Sequence, residues 1–167
     1  MGSGSKVRTL EELAVLCESW RREGRKVVWT NGCFDLLHAG HARSLHDAKS
    51  FGDILVVGIN SDASVRAIKG ADRPLMCEED RAELLAALAD VDYVTVFGDS
   101  EPSRAIAMLK PDIHCKGAEY ADGKRPVPER GVVESYGGQL KFLPLHPGRS
   151  TSDLIDRIRK SPEAACR

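Results

Sequence analysis

Hydrophobic and polar residues follow two spacings along this chain, one typical of helices and one typical of buried strands. Between residues 9 and 23, apolar side chains recur at helical spacing from Leu10 to Trp20, and Thr9 with Glu12 matches a capping box. Further helical patterns lie at 39–51, just after 60–62, at 78–89, just after 100–102, at 132–136 and at 150–159. The pattern therefore predicts seven helices distributed along the chain.

Continuous apolar runs separate these helices. They lie at 26–30, 54–59, 91–97, 112–116 and 139–145. Runs of this type are typical of parallel strands that are buried on both faces. The alternation predicts an α/β fold, a Rossmann-like parallel five-stranded sheet with helices on both faces. In such a fold, ligands bind at the carboxyl ends of the strands, where the strand order reverses.

Composition narrows the class of partner. The chain has 167 residues, enough for one domain with a full core, and its 24 basic residues nearly cancel its 25 acidic ones. This balance favours small-molecule substrates and predicts no nucleic-acid and no membrane partner. No apolar run approaches the roughly 18–20 residues of a membrane span, and no signal peptide is recognised. Five widely spaced cysteines indicate reduced thiols in a cytoplasmic protein.

The chain is divided by pattern into four segments. Residues 1–5 are interpreted as an expression scar, 6–24 as an N-terminal amphipathic helix, 25–160 as the main domain and 161–167 as a loose tail. The N-terminal helix could pack on the main domain or on a second subunit, so a homodimer is one possibility.

The stretch TNGCFDLLHAGH, at 30–41, follows the first predicted strand. In a helix, His38 and His41 share one face, and Gly40 between them leaves room for a ligand. A strand, a glycine turn, a helix start and two paired donors together predict an anion site. A metal site and a purely structural pair are the alternatives, although no H-E-x-x-H pattern surrounds the histidines.

A second candidate is the loop that contains Lys69 and Arg73. A lysine before a glycine is usually solvated surface, but here an arginine follows in the same Gly- and Pro-containing loop. The two cations could close over a polyphosphate as a mobile lid.

Two further candidates also come directly after predicted strands. The stretch GRSTSD, at 148–153, is a good helix N-cap, and its hydroxyls, arginine and free N–H groups also suit a phosphate cradle. Lys116-Gly117 follows the fourth predicted strand, and Tyr120 is near enough to offer a stacking face. No Walker-type loop and no G-x-G-x-x-G pattern is present.

These motifs resemble those of a known superfamily. TNGCFDLLHAGH resembles the H-x-G-H signature of the cytidylyltransferase-like nucleotidyltransferases, and GRSTS resembles their second signature at the start of the last helix. Between them, VGINSDASVR, KGADRP, EDR, VDYV, KPD, KGAEY and ESYGG are similar to bacterial heptose 1-phosphate adenylyltransferases. That family occurs alone or as the C-terminal half of bifunctional ADP-heptose synthases.

The resemblance implies transfer of AMP from ATP to a sugar 1-phosphate, giving ADP-heptose for lipopolysaccharide or another surface glycan, with pyrophosphate released. Mg²⁺ would arrive with the nucleotide, and no dedicated protein metal site is expected. The alternatives are another phosphorylated acceptor such as glycerol 3-phosphate or FMN, the use of CTP, or a nucleotide-binding module without catalysis.

The resemblance also implies roles for residues. Those with catalytic roles would be His38, His41, Lys69 and Arg149. Those that contact the nucleotide would be Asn31, Gly32, Cys33, Phe34, His38, Gly40, His41, Lys116, Gly117, Arg149, Ser150 and Thr151. Those that contact the acceptor would be Asp35, Asn60, Asp62, Lys69, Arg73 and Tyr120. The chain departs from the family's usual Gly-Gly-Asp-Tyr at 117–120, and residues 121–126 match no family pattern.

Overall fold

The structure, a computed structural model, describes residues 6–144, 146, 148 and 151–160. Its five strands are β1 (Val27–Gly32), β2 (Ile54–Asn60), β3 (Tyr93–Phe97), β4 (Ile113–Gly117) and β5 (Gln139–Leu143). They form one sheet in the order β3-β2-β1-β4-β5, and every pair of neighbours is parallel. The predicted five-stranded parallel sheet is confirmed.

The helices cover both faces of this sheet. They are α1 (Leu10–Arg22), α2 (Ala39–Lys49), α3 (Asp62–Lys69), α4 (Glu78–Ala86), α5 (Ser103–Leu109), α6 (Arg130–Ser135) and α7 (Thr151–Lys160). Buried residues of α1, α5 and α6 pack with one face of the sheet, and those of α2 and α4 pack with the other. In the described part of the chain, no helix is long and apolar enough to cross a membrane.

Helix α1 belongs to the core of this domain. Thr9 and Glu12 form the predicted capping box, and Leu13, Cys17 and Trp20 are buried against the sheet. The rings of Trp20 and Tyr93 lie with their centroids 5.1 Å apart. The helix thus packs on its own domain, which was the first of the two alternatives considered for it.

The region between α4 and β3 differs from the prediction. Helix α4 ends at Ala86 rather than residue 89, and β3 begins at Tyr93 rather than residue 91. Between them, Asp92 is tied to β2 and α2: its carboxylate accepts hydrogen bonds from the Leu55 N–H (2.7 Å) and from Lys49, and its own N–H donates to the Leu55 carbonyl oxygen (3.1 Å). These contacts lie far away in the sequence, so the local pattern could not reveal them.

The order of the strands indicates where in the fold a ligand site is expected. Strand β1 lies at the centre, with β2 and β3 on one side and β4 and β5 on the other. The chain therefore reverses direction across the sheet between β1 and β4, and their carboxyl ends border the crevice in which α/β proteins bind ligands. The segments at 1–5 and 161–167, interpreted from sequence as a scar and a tail, lie outside the described residues.

Candidate active site

A cleft of about 720 Å³ opens at the carboxyl ends of β1 and β4. It brings together the predicted residues Asn31, Gly32, Cys33, Phe34, Asp35, His41, Asn60, Lys69, Arg73, Lys116, Gly117, Tyr120 and Thr151. His38, Gly40 and Asp62 lie near it but are not among the residues that line it. Arg149 and Ser150 lie outside the described residues.

The two histidines of TNGCFDLLHAGH converge, but not in the predicted way. His38 has an extended backbone and is the N-cap of α2, so it does not lie on a helix face with His41. Instead, the His41 N–H donates to Nδ1 of His38 (3.3 Å), and the His38 N–H donates to Nδ1 of His41 (3.4 Å). The two rings stack with their centroids 3.8 Å apart. The pair is therefore a helix cap, and His41 also lines the cleft.

This arrangement sets the protonation of His41. Burial, together with the electrostatic effect of His38, lowers the pKa of His41 to about 4, so the ring is neutral at pH 7. Because Nδ1 accepts a backbone hydrogen bond, the proton of the neutral ring lies on Nε2. His41 thus offers an uncharged N–H donor.

The turn before the histidines has an unusual backbone. Phe34 has a φ of 47°, in the left-handed region that non-glycine residues rarely adopt. Its ring centroid lies 5.3 Å from that of His41. Strained backbone of this kind persists only where its surroundings hold it, and it is common at ligand sites.

Asp35 anchors a loop rather than presenting an open carboxylate. It is 2% exposed and accepts hydrogen bonds from the N–H groups of Leu75 (2.8 Å) and Met76 (3.0 Å). It also forms an ion pair with Arg73. The loop that carries Arg73 is thereby fixed to the turn after β1, whereas Lys69, at the end of α3, is exposed at the edge of the cleft.

Arg81 stabilises the turn after β1 through hydrogen bonds, a role that the sequence did not reveal. Its side chain is fully buried, and its guanidinium donates to the carbonyl oxygens of Cys33, Asn60 (2.9 Å) and Met76 (3.0 Å). It also pairs with the Asp62 carboxylate (2.7 Å). Asp62 is thus turned to Arg81, and one arginine ties together the turn, the end of β2 and the loop. In the sequence, its signals are a basic residue within an acidic helix start and its place in the EDR stretch that resembles the family.

The β4 side of the cleft depends on another buried carboxylate, Glu129, which the sequence also did not reveal. Glu129 is 1% exposed and accepts hydrogen bonds from Lys116 Nζ (2.8 Å) and His114 Nε2 (2.9 Å). Lys116 Nζ lies 4.7 Å from the ring centroid of Tyr120. The predicted neighbours Lys116 and Tyr120 are in contact, and a carboxylate from the next helix start fixes the lysine.

The charges in this trio follow from burial and bonding. Burial alone would raise the pKa of Glu129, but the hydrogen bonds from His114 and Lys116 outweigh it and bring the pKa to about 2. Burial lowers the pKa of His114 despite its bond to Glu129. The carboxylate is therefore ionised, the imidazole is a neutral donor, and the charge of Lys116 is already balanced.

Helix α7 closes the third side of the cleft. Thr151 begins this helix and Ser152 follows it, and both line the cleft. The Thr151 hydroxyl donates to the Leu36 carbonyl oxygen (3.2 Å), which joins the helix start to the segment before the histidines. Among the described residues, no group of three or more His, Cys, Asp or Glu side chains is placed to hold a metal ion.

Together, this fold and cleft define a class of α/β protein with its ligand site at the switch point of a parallel sheet. Residues 29–156 match the model of the cytidylyltransferase-like family. The chain belongs to that family.

The chain is also similar to individual proteins. The chain is 48% identical over 159 residues to the bifunctional protein HldE of Geobacter metallireducens, covering 95% of this chain and 32% of the relative. It is 49% identical over 154 residues to HldE of Syntrophotalea carbinolica, covering 92% and 31%. The chain thus spans about a third of the length of these relatives. A lipopolysaccharide core biosynthesis protein from Thermoplasma volcanium has a similar structure, with a TM-score of 0.61 and 27% identity over 74% of this chain and 98% of that one.

Proposed function

We propose that this domain transfers AMP from ATP to a heptose 1-phosphate, forming ADP-heptose and releasing pyrophosphate. The observation that carries the proposal is the combination, in one cleft, of the neutral donor His41, the cation Lys69 and the hydroxyl-rich start of α7. Membership of the cytidylyltransferase-like family and the similarity to HldE support it.

The proposed reaction is a single in-line displacement. A phosphate oxygen of the sugar 1-phosphate forms a bond with the α-phosphorus of ATP. The bond from that phosphorus to the oxygen bridging the β-phosphate breaks, and its electron pair leaves with pyrophosphate. Such a reaction needs no protein nucleophile, because positioning and charge stabilisation supply most of the catalysis.

The histidine pair suits this reaction as a source of fixed donors. A neutral His41 can donate through Nε2 to an α-phosphate oxygen while Nδ1 remains occupied by the backbone. His38 caps α2 and stacks on His41, so we propose that it orients the second ring. We propose that Lys69 and the start of α7 contact the phosphates, with Arg149 and Ser150, outside the described residues, completing that side.

The β4 side suits a less charged part of the nucleotide. The charge of Lys116 is balanced by Glu129, and a balanced ammonium is better suited to donate to a ring nitrogen or hydroxyl than to gather phosphate charge. Gly117 presents no side chain on this wall, and a Cβ there would have to displace the Glu119 carboxylate, the end of a flexible side chain. We propose that Lys116, Gly117 and Tyr120 border the base.

The carboxylates of the cleft bear on how magnesium would be bound. The two oxygens of Asp35 already accept bonds from two backbone N–H groups and from Arg73, so they offer little to a cation. We propose that Mg²⁺ enters on the phosphates of ATP, where it neutralises their charge. A homodimer and a cytoplasmic location stay predictions.

A nucleotide and acceptor panel tests the proposal. Pyrophosphate release is measured with ATP or CTP and with each anomer of heptose 1-phosphate, glycerol 3-phosphate or FMN, and with each nucleotide alone. We expect release that requires ATP and a heptose 1-phosphate together. Release with CTP or another acceptor would reassign the substrate. ATP binding without release on any acceptor would identify a binding module instead.

A further inference from the structure

One segment that lines the cleft carries a cation, Arg125, that has no role in the function proposed so far. Arg125, Pro126, Pro128 and Glu129 line the cleft, and we call 125–129 the arginine arm. It follows β4 and runs to the start of α6. Its first two residues, 125 and 126, belong to the stretch at 121–126 that matches no family pattern.

The arginine arm is stiff for a loop. Pro126 and Pro128 fix their own φ angles near −65°. Each proline also restricts the residue before it, so Arg125 and Val127 are biased towards extended backbone. A cation at the end of such a segment loses less conformational freedom when it binds a ligand.

The arm is also anchored at its far end. Glu129 is buried, and its hydrogen bonds to His114 and Lys116 connect the arm to β4. Since Lys116 also lies over the Tyr120 ring, the anchor is part of the cleft wall. The position of Arg125 thus depends on a carboxylate that does not itself need to touch a ligand.

The cations that line the cleft differ in whether their charge is balanced by an ion pair. Four described cations line the cleft, and two of them are already paired, Arg73 with Asp35 and Lys116 with Glu129. Lys69 and Arg125 are exposed, and neither has an ion-pair partner among the described residues. They come from different segments, the end of α3 and the arginine arm. Lys69 and Arg125 are therefore the described cations of the cleft whose positive charge is available to a bound phosphate group.

We propose that Arg125 is a substrate-binding residue that contacts a phosphate group, and that Glu129 is the positioning residue for the arginine arm. The proposal rests on the proposed function and extends it. A guanidinium suits this role because its planar fork can donate two parallel hydrogen bonds to phosphate oxygens. The phosphate belongs either to the nucleotide or to the sugar 1-phosphate, and the experiment separates these two sources.

The test compares Arg125→Gln with Lys124→Gln. Lys124 is the neighbouring cation, pairs with exposed Asp122 and does not line the cleft, so the control makes the same charge change. KM values for ATP and for heptose 1-phosphate are measured, together with ATP binding by calorimetry without acceptor. We expect Arg125→Gln to raise the KM of one substrate at least fivefold relative to Lys124→Gln. Weaker ATP binding assigns the contact to the nucleotide, and unchanged ATP binding assigns it to the sugar phosphate.

A conservative variant and an anchor variant complete the test. Arg125→Lys keeps the charge but loses the planar guanidinium fork. For the substrate affected by Arg125→Gln, the KM of Arg125→Lys should lie between the values of the wild type and Arg125→Gln. Glu129→Gln should raise the KM of the same substrate as Arg125→Gln and also that of ATP, because Glu129 fixes Lys116 as well. If Glu129→Gln lowered only the melting temperature and left both KM values unchanged, the positioning role would be wrong.

The outcomes separate this inference from the proposed function. If the wild type released no pyrophosphate with any acceptor, the proposed function would fall. If the wild type were active and Arg125→Gln changed each KM by less than fivefold relative to Lys124→Gln, Arg125 would not bind the phosphate, and the proposed function would stand.

Discussion

Two sides of the same cleft are built in opposite ways. On one side, the histidine turn (31–41) orients its rings with hydrogen bonds between residues three positions apart. On the other, the β4 side (114–129) orients Lys116 with a buried carboxylate that arrives from the start of another helix. The first device is local and uses backbone donors, whereas the second is long-range and uses charge. The difference explains which parts of the site the sequence could reveal.

The two sides also differ in how they keep an imidazole neutral. Burial next to a second histidine lowers the pKa of His41 to about 4. Burial lowers the pKa of His114 even though an ionised carboxylate accepts its hydrogen bond. At neutral pH both rings are therefore donors without charge, and the positive charge of the described cleft comes from lysine and arginine side chains.

The largest effect is expected from removing Arg81, the buried long-range support behind the histidine turn. Arg81→Met would leave the carbonyl oxygens of Cys33, Asn60 and Met76 and the Asp62 carboxylate without their donor. Removing one partner of a buried charged network typically costs about 3 kcal/mol or more. We expect the free energy of unfolding, measured with urea, to fall by about that amount.

The control for this prediction is Arg66→Met, at an exposed position on α3 that makes no ion pair with described residues. Exposed substitutions of this kind usually change stability by less than about 0.5 kcal/mol. Equal losses in the two variants would mean that Arg81 does not hold the turn.

A second, slightly smaller effect is expected from the histidine turn itself. His41→Ala removes a fixed donor that is proposed to act mainly in the transition state, so turnover should fall about 10²-fold while ATP binding stays nearly intact. His46→Ala on the same helix is the matched control, because His46 is exposed and pairs with Asp90 (3.2 Å) away from the cleft. Unchanged turnover in His41→Ala would contradict the proposed role, and so would an equal loss in His46→Ala.

A third substitution weakens the link between the turn and its loop. In Asp35→Asn, the amide nitrogen cannot accept from Arg73, so one end of the loop is released. We expect the KM of the acceptor to rise about tenfold, the scale of one charge-assisted hydrogen bond. Asp72→Asn, at an exposed site in the same loop, should leave the KM of the acceptor within a factor of about two. A similar rise in both variants would assign the effect to net charge rather than to the anchor.

The sequence predicted what depends on neighbouring residues. Continuous apolar runs, such as 54–59, predicted the strands because parallel strands are buried on both faces. Glycine turns and hydroxyl-rich helix starts placed the candidates after strands, and the sheet brings most of them into one cleft. The capping box at Thr9 was readable for the same reason, since both of its bonds lie within one helical turn.

The sequence did not predict what depends on pairing across the fold. Arg81 and Glu129 look like surface residues in a charged stretch, and only the packing of α4 and α6 buries them. The sequence predicted that Asp35 contacts the acceptor. It could not reveal that the Asp35 oxygens accept hydrogen bonds from Arg73 and from backbone N–H groups. The shared helix face expected for His38 and His41 was wrong: α2 begins at Ala39, as the pattern at 39–51 predicted, so His38 is the N-cap and only His41 lies within the helix.

At neutral pH the smallest effect is that of His41 protonation, which develops only as the pH falls. An unfolded chain binds a proton at His41 with a pKa near 6.5, whereas the folded protein binds it only near pH 4. Between these values the unfolded state binds more protons, so stability rises with pH through this window and is lost as the pH falls towards 4. Above pH 6.5, His41 contributes no pH dependence.

Two measurements check this prediction on the protein without nucleotide. The Cε1 proton of His41, assigned by its disappearance in His41→Ala, should titrate in NMR spectra with a midpoint near pH 4. In urea unfolding, the wild type should lose up to about 1.4 kcal/mol per pH unit more than His41→Ala between pH 6.5 and 4. A midpoint near 6.5 with parallel stability curves would show that protonation does not disturb the stacked pair. The hydrogen bond from the His38 N–H to Nδ1 would then be absent in solution, because a protonated ring cannot accept it.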